Sequence, residues 1–430
     1  MRRTRGARLA PEAFAEVAID EIGAGDGIGR GGGERVFVPF TVPGDRVRVR
    51  LGSRREGGRE GEALEWLATG SGRRQPPCPH FGVCGGCSLQ HLADDLYRDA
   101  KLAGLRRALA RTGIAPGVVA PLRAVTAASR RRIRLGLRCP AVGGGQAQVG
   151  LRPRFSHALV DLRDCHVLEP GLLALIEPLR RLVPALLPRA GAAEALLTRT
   201  DSGIDMVLEV ATPPSLPGLE ALAAFATAVD LARIVWRTPH GEVPVVERRP
   251  PRLLLSGVSV PVPPGAFLQA SAAAERLLVA EVAAAVPPDA PALDLYAGLG
   301  TFAFALAADG RRVHAVEGDA AVVGAIASAA AAMPRVTVER RDLARDPLRS
   351  AELAGWEAVV FDPPRAGALP QAEALAASGV ATVVAVSCNP ATFARDARRL
   401  CDGGFRLERV APIDQFVWTP HLELIAVFRR

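Results

Sequence analysis

The sequence predicts an α/β protein in three regions: a doubly wound parallel sheet at the C-terminal side, a small barrel at the front, and a β-rich stretch between them. Three observations carry this. From about residue 266 onward, apolar runs of strand length alternate with helix-like segments, as in a parallel sheet with helical crossovers. Residues 8–70 break into short alternating runs separated by glycine-rich turns. One late apolar run, VVAVSCNP, ends on Ser387-Cys388-Asn389-Pro390, which puts a cysteine where a strand runs out into a crevice.

The barrel is read from FAEVAIDEIG, GDGIGRGGG, RVFVPF and DRVRVRLG, an oligonucleotide-binding type of pattern. Gly25, Gly27 and Gly29 precede Val36-Phe37-Val38-Pro39, and Pro43-Gly44-Asp45 precedes Val47-Arg48-Val49. That spacing resembles a TRAM domain, and the resemblance implies RNA binding.

A linker at 71–77 leads into CPHFGVCGGC, in which Cys78, Cys84 and Cys87 form C-x5-C-x2-C. Cys165, in LVDLRDCHVLEP, is a fourth candidate. Four thiolates suit iron–sulfur ligation or tetrahedral zinc. Cys139 and Cys401 are left over and read as small buried hydrophobes. DDLYRDAKLAGLRRALARTG (94–113) has helical spacing ended by Thr112-Gly113, and we expect it to pack on the C-terminal region. The runs RRRIRLGLR, QVGLRPR, IDMVLEVA and ARIVWR make residues 71–265 a cluster-bearing, antiparallel or mixed β domain. In SRRRIRLGLR (129–138) arginines alternate with apolar residues, so one face is expected buried and the other cationic.

The region 266–430 reads ALDLYAG, RVHAVEGD, VTVERRDL, AVVFDPPRAG and TVVAVSCNP as successive strands, with FRLERVAPID and LELIAVFRR as a closing hairpin. Seven strands with a terminal hairpin resemble the class I S-adenosylmethionine methyltransferase fold. Gly298 and Gly300 follow the first strand, where backbone can approach a ligand. Glu317 ends the second strand, where a carboxylate can hold two ribose hydroxyls. Asp342 follows the third, beside an adenine, and Tyr296 or Thr301 completes such a pocket. Phe361-Asp362-Pro363-Pro364-Arg365 ends the fourth, and its prolines fix an extended turn without amide donors. Arg365, where an amino-group methyltransferase carries an aromatic ring, disfavours nitrogen as the target.

A thiol, a methyl donor and a base together point to carbon methylation of a pyrimidine. Carbon 5 of uracil becomes nucleophilic once a thiolate adds to carbon 6, and a base then removes the carbon-5 proton. Cys388 is the expected nucleophile, its pKa lowered by the helix starting near Ala391. Glu423, about 35 positions later in His421-Leu422-Glu423, is the expected base, since a glutamate in LELIAVF is costly to bury without a role.

At this point the sequence resembles one family, the RNA uracil-C5 methyltransferases, and within it the ribosomal RNA branch acting on 23S rRNA. The resemblance implies a 4Fe–4S cluster on Cys78, Cys84, Cys87 and Cys165. It implies S-adenosylmethionine contacts from Gln269 in GAFLQAS, Tyr296, Thr301, Glu317, Asp342 and Asp362. Cys388 in SCNP falls on the nucleophile and Glu423 in HLE on the base. The transfer RNA branch is expected to lack both barrel and cluster. Two positions depart from the pattern: Val417 stands where proline is usual, and Ala297 where cysteine is common.

Composition fits this reading. Hydrophobic residues make up 49% and charged residues 23% of the 430, ordinary for a globular protein. The formal charge is +8, and residues 1–165 hold 28 basic against 16 acidic side chains while the remainder holds 25 against 29. Lys101 is the only lysine. A basic front suggests a polyanionic partner. No run is of membrane-spanning length and MRRTRGARLAPEAFAE lacks a signal peptide's apolar segment, so a monomeric cytoplasmic protein is expected. Two alternatives stay open: an inactive iron–sulfur RNA-binding protein on the same fold, and methylation of another RNA such as tRNA.

Overall fold

The computed structural model describes residues 13–141, 145–154 and 156–430. Residues 8–12 of the expected barrel, and most of the basic N-terminal segment, lie outside the described residues. The chain forms two compact units. Among the described residues, the smaller holds those up to Pro77, Cys87–Gly104 and Trp418–Pro420, and the larger holds Cys78–Gly86, those from Leu105 to Val417, and His421–Arg430.

In the smaller unit five strands close a barrel: Ala13–Gly23, Asp26–Gly31, Glu34–Pro39, Arg46–Arg55 and Gly58–Ala68, the last inserted between the third and fourth. Alternation drives closure, because Val17, Ile19, Val36, Val38, Val47 and Val49 point inward and form one core while Arg46 and Arg48 point out. Gly29 is required by the close approach of the first strand: a Cβ there would lie 1.9 Å from the Ala18 carbonyl oxygen. Asp45 locks the chain as it leaves the barrel, its carboxylate accepting from the Val42 and Gly70 amides at 2.8 Å each and pairing with Arg73. The fifth strand is absent from the sequence reading, since GREGEALEWLA presents mostly polar and small residues. A second cluster joins Ile22 and Val42 to Leu89, Leu92 and Tyr97. The helix Asp94–Arg111 is divided between the two units at Gly104.

In the larger unit a seven-stranded sheet runs in the order Gly241–Glu247, Leu231–Thr238, Gly203–Glu209, Ala192–Thr200, Arg132–Arg138, Gln148–Leu151 and Val160–Asp161. Only Gly203–Glu209 and Leu231–Thr238 pair in parallel, joined by the helix Leu216–Ala228, so the sheet is mixed. Ile133, Leu135 and Leu137 are buried as the alternation requires. The opposite face is less cationic than expected. Arg134 pairs with Glu194 and Glu209 on two other strands, and Arg131 is buried against Glu275. Cys139 is buried, whereas Cys401 is partly exposed.

The second sheet of this unit has eight strands in the order Val336–Arg340, Val313–Glu317, Ala292–Leu295, Ala358–Phe361, Thr382–Ser387, Glu423–Arg429, Arg406–Asp414 and Arg123–Ala124. The first five are parallel; Ala292–Leu295, Ala358–Phe361 and Thr382–Ser387 are buried throughout and mostly apolar, as strands covered on both faces must be, whereas the edge strand Val336–Arg340 exposes Thr337 and Arg340. Glu423–Arg429 inserts antiparallel between Thr382–Ser387 and Arg406–Asp414. The seven strands from residue 292 onward follow the sequence expectation. The eighth, Arg123–Ala124, comes from far upstream and pairs in parallel with Ile413 and Asp414. Helix starts are capped by side chains: Asp319 accepts from Ala321 and Val322, and Asn389 accepts from Ala391 with Pro390 at the first helical position. No described helix is long and apolar enough to cross a membrane.

Candidate active site

The site lies where the parallel strands end. After Ala292–Leu295 the chain turns through Tyr296, Gly298 and Gly300, with φ of 59°, 53° and 83°, before the helix Thr301–Ala308. A Cβ added at Gly298 would meet nothing within 4 Å, so the loop borders open space. Glu317, at the end of the neighbouring strand, accepts from the Gly298 amide at 2.9 Å through Oε2, and from Gly318 and Asp319 at 2.7 and 2.8 Å through Oε1. Beneath the loop Asp294 is fully buried. Its Oδ2 accepts from Ala303 at 2.9 Å, its Oδ1 has no partner, and burial, with Asp362 and Glu317 adding, pushes its carboxyl up to about 8. Burial also pushes Tyr296 up to about 12, reinforced by Asp396 and Asp342. Asp342 itself is exposed on the next loop, accepting from Ala344 at 3.1 Å. Thr301 is half-buried at the helix start.

A second group of residues is linked by hydrogen bonds. Gln269 donates to Asp362 Oδ2 at 3.1 Å, and Gln415 donates both to Gln269 Oε1 at 2.8 Å and to Glu423 Oε2 at 2.7 Å. Glu423 is 3% exposed and its Oε1 has no hydrogen-bond partner. Burial holds the Glu423 carboxyl well above the usual range, with Asp362 adding and Gln415 opposing. Asp362 is raised by burial as well, opposed by Gln269. Two acids this near each other in a dry place do not both ionise at low cost.

Cys388 is half-buried at the end of Thr382–Ser387. Its thiol is raised, first by burial and then by Glu423 and Asp362, with Arg365 pulling the other way. The expected lowering by the following helix is not the net outcome. Pro390 has no amide hydrogen and the Ala391 amide goes to Asn389, so the first donors of that helix are spoken for. Arg365 is the cation of the site. Its Nη2 donates to His421 Nδ1 at 2.8 Å, and its carbonyl accepts from Asn389 Nδ2 at 2.9 Å and Thr392 Oγ1 at 3.2 Å. The Asp-Pro-Pro-Arg turn is therefore pinned to the segment that carries Cys388.

The structure thus brings Gln269, Asp362, Cys388 and Glu423 into one cluster, with Tyr296, Thr301 and Glu317 along the adjacent loop. Sequence reasoning missed Gln415 and Asp294. Asp294 carried the same signal that singled out Glu423, an acid inside an apolar strand (ALDLYAG). Gln415, one residue past a strand, carried none.

The cysteines of the middle region stand apart. Burial raises the Cys84 and Cys165 thiols, and each also feels Cys78. The Gly86 amide donates to Cys84 Sγ at 3.4 Å, and backbone amides of Val167 and Leu168 reach Cys165. Among the described residues no group of three or more His, Cys, Asp or Glu is gathered tightly enough to hold a metal ion.

The fold is that of a class I methyltransferase. A Pyrococcus abyssi tRNA (uracil-54, C5)-methyltransferase in complex with S-adenosyl-L-homocysteine superposes with a TM-score of 0.75, covering 96% of this chain and 99% of that one at 24% identity. Residues 262–430 match the tRNA (Uracil-5-)-methyltransferase family. An uncharacterized RNA methyltransferase of Caulobacter vibrioides is 42% identical over 426 residues, covering 96% of this chain and all of that one. The 23S rRNA (uracil(1939)-C(5))-methyltransferase RlmD of Halomonas elongata is 37% identical over 412 residues, 91% of this chain and 84% of that one. The chain belongs to the RNA uracil-C5 methyltransferase family. Because a tRNA enzyme shares the fold over nearly the whole chain, the front region does not separate the transfer RNA branch from the ribosomal one, contrary to the expectation above.

Proposed function

We propose that the protein methylates carbon 5 of a uridine in 23S rRNA, with Cys388 as nucleophile and Glu423 as base. The observation that carries this reading is the convergence of Asp362 and Cys388, each following a parallel strand, with Glu423 at the start of an antiparallel strand and Gln269 on a loop: hydrogen bonds through Gln415 link Gln269, Asp362 and Glu423, and both acids act on the Cys388 thiol. The open space at Gly298, bordered by the Glu317 carboxylate, fits a nucleoside donor held by Gln269, Tyr296, Thr301, Glu317, Asp342 and Asp362. S-adenosylmethionine, when bound, supplies the methyl group.

Cys388 adds to carbon 6 of the flipped uracil, and Arg365 favours the thiolate needed for this. Once carbon 5 is alkylated, Glu423 takes the proton from it and the Cys388 sulfur leaves. Glu423 must be ionised at that moment, so the raised carboxyl makes catalysis fall off toward acid pH.

The barrel (8–70) serves as the RNA-binding region, supported by Phe14 and Trp66, 49% and 42% exposed, with Arg48 near the Phe14 ring. Cys78, Cys84, Cys87 and Cys165 in 71–265 hold a 4Fe–4S cluster. Amides aimed at two of the sulfurs fit thiolate ligands, since such donors stabilise negative sulfur. Residues 266–430 carry the methyl transfer.

The test is Cys388→Ala. We expect loss of 5-methyluridine formation by at least about a thousandfold, and loss of the denaturation-resistant adduct that the unaltered protein forms with 5-fluorouridine RNA. Persisting methyl transfer would sink the mechanism. A second reading, tRNA as substrate, is favoured by the fold shared with the Pyrococcus enzyme. Mapping 5-methyluridine in rRNA and tRNA of cells lacking the protein decides between them.

A further inference from the structure

Gln415 is 4% exposed, and every hydrogen-bonding atom of its amide group is engaged. Oε1 accepts from the Ala270 main-chain amide at 3.0 Å, while Nε2 donates to Gln269 Oε1 at 2.8 Å and Glu423 Oε2 at 2.7 Å. The contact with Ala270 fixes which way round the amide sits, because reversing it would set two donors against each other. Gln269 is oriented in turn, and its own Nε2 donates to Asp362 Oδ2 at 3.1 Å. A directed set of donors therefore ends on a carboxylate at each side.

We infer that Gln415 is a positioning residue for proton removal, holding Glu423 with Oε2 occupied so that Oε1 is left to take the proton, and holding Gln269 against Asp362. The inference rests on the uracil-C5 reading above. In the step concerned, the carbon-5 to hydrogen bond breaks and the proton goes to Glu423 Oε1. The released electron pair forms the carbon 5–carbon 6 double bond, and the carbon 6–sulfur bond breaks with its electrons returning to Cys388. The unpartnered Oε1, buried at the inner end of its strand, is the second observation that points to this role.

The groups facing Glu423 are Asp362, on the turn after Ala358–Phe361, and Cys388, at the end of Thr382–Ser387. Arg365, bonded to His421, acts on Cys388. Burial and then Asp362 oppose ionisation of Glu423, and Gln415 supports it. Losing the Gln415 donor therefore moves Glu423 further up, and the acid limb of the rate profile moves to higher pH.

The experiment uses the full chain, S-adenosylmethionine and total RNA from cells lacking the protein. Gln415→Met keeps length without a donor, and Gln415→Glu keeps an acceptor for Ala270, so either serves if the other fails to fold by circular dichroism. Glu423→Gln is the reference in which release is blocked. We expect Gln415→Met to slow product release about tenfold or more, to accumulate adduct on ordinary uridine RNA, and to shift the acid limb upward. A general packing defect would lower the rate without accumulating adduct or moving that limb. Wild-type release and an unmoved limb in the variants, while Glu423→Gln traps the adduct, would overturn the inference alone. Methylation by Cys388→Ala would instead remove the reading beneath it.

Discussion

Asp294 is a carboxyl without exposure, held by a single amide, and its pKa of about 8 lies far above the ordinary 3.8. The folded protein therefore binds a proton there between about pH 4 and pH 8 that the unfolded chain has released. That term stabilises the fold fully below pH 4 and is lost as pH rises toward 8. Asp294→Asn keeps an acceptor for Ala303 and removes the titration. Thermal unfolding should show the variant gaining on the unaltered protein from pH 5 to pH 8, and a constant difference would refute the assignment. At this scale the sequence singled out Cys388 and Glu423, because a cysteine at a strand end and an acid in an apolar strand are chemically conspicuous. It left the state of Cys388 wrong in sign. Burial raises it first, and the carboxylates that add to this, Glu423 and then Asp362, come from segments that become its neighbours only on folding. Gln415 escaped notice for a related reason, since an amide reveals its work only through its partners.

Among elements, the barrel strands were legible where valines alternate with arginines, and illegible at Gly58–Ala68, whose face carries glutamates and small residues. Glycines were legible too, and Gly29, inside the strand Asp26–Gly31, shows what one does there. With the Ala18 carbonyl and the Val17 side chain at 1.9 and 2.7 Å from a would-be Cβ, Gly29→Ala must push two paired strands apart. We expect a cost of about 1–3 kcal/mol, read as earlier unfolding of the barrel by hydrogen exchange, with amides of Ala292–Leu295 unaffected. The arginine strand was half right. Its apolar face is buried, but pairing of Arg134 with Glu194 and Glu209 depends on strands far away in sequence. The same holds for Arg123–Ala124, where two residues become a strand only because Arg406–Asp414 offers an edge.

Over the whole molecule, the basic front predicted from charge counts is softened by pairing. Arg35, Arg50 and Arg54 each meet a glutamate within the barrel, while Arg46 and Arg48 face outward, Arg48 beside the Phe14 ring. The cysteine set is the feature whose occupant is most directly measured. Protein prepared without air should carry close to four irons and four sulfides per chain if the proposed cluster is present. Zinc, or no metal at all, would exclude it. Cys78→Ser should remove the visible absorbance together with the iron. The sequence reads as a front, a middle and a C-terminal region, whereas the chain forms two compact units, the larger of which holds both the middle and the last sheet. What could not be read was that a segment near residue 123 finishes the last sheet. A piece of the chain cut at residue 266 would take seven strands with it and leave the outermost one uncovered. Its free amides and carbonyls would then be open to other copies, so the methyl-transfer region is not a detachable cassette.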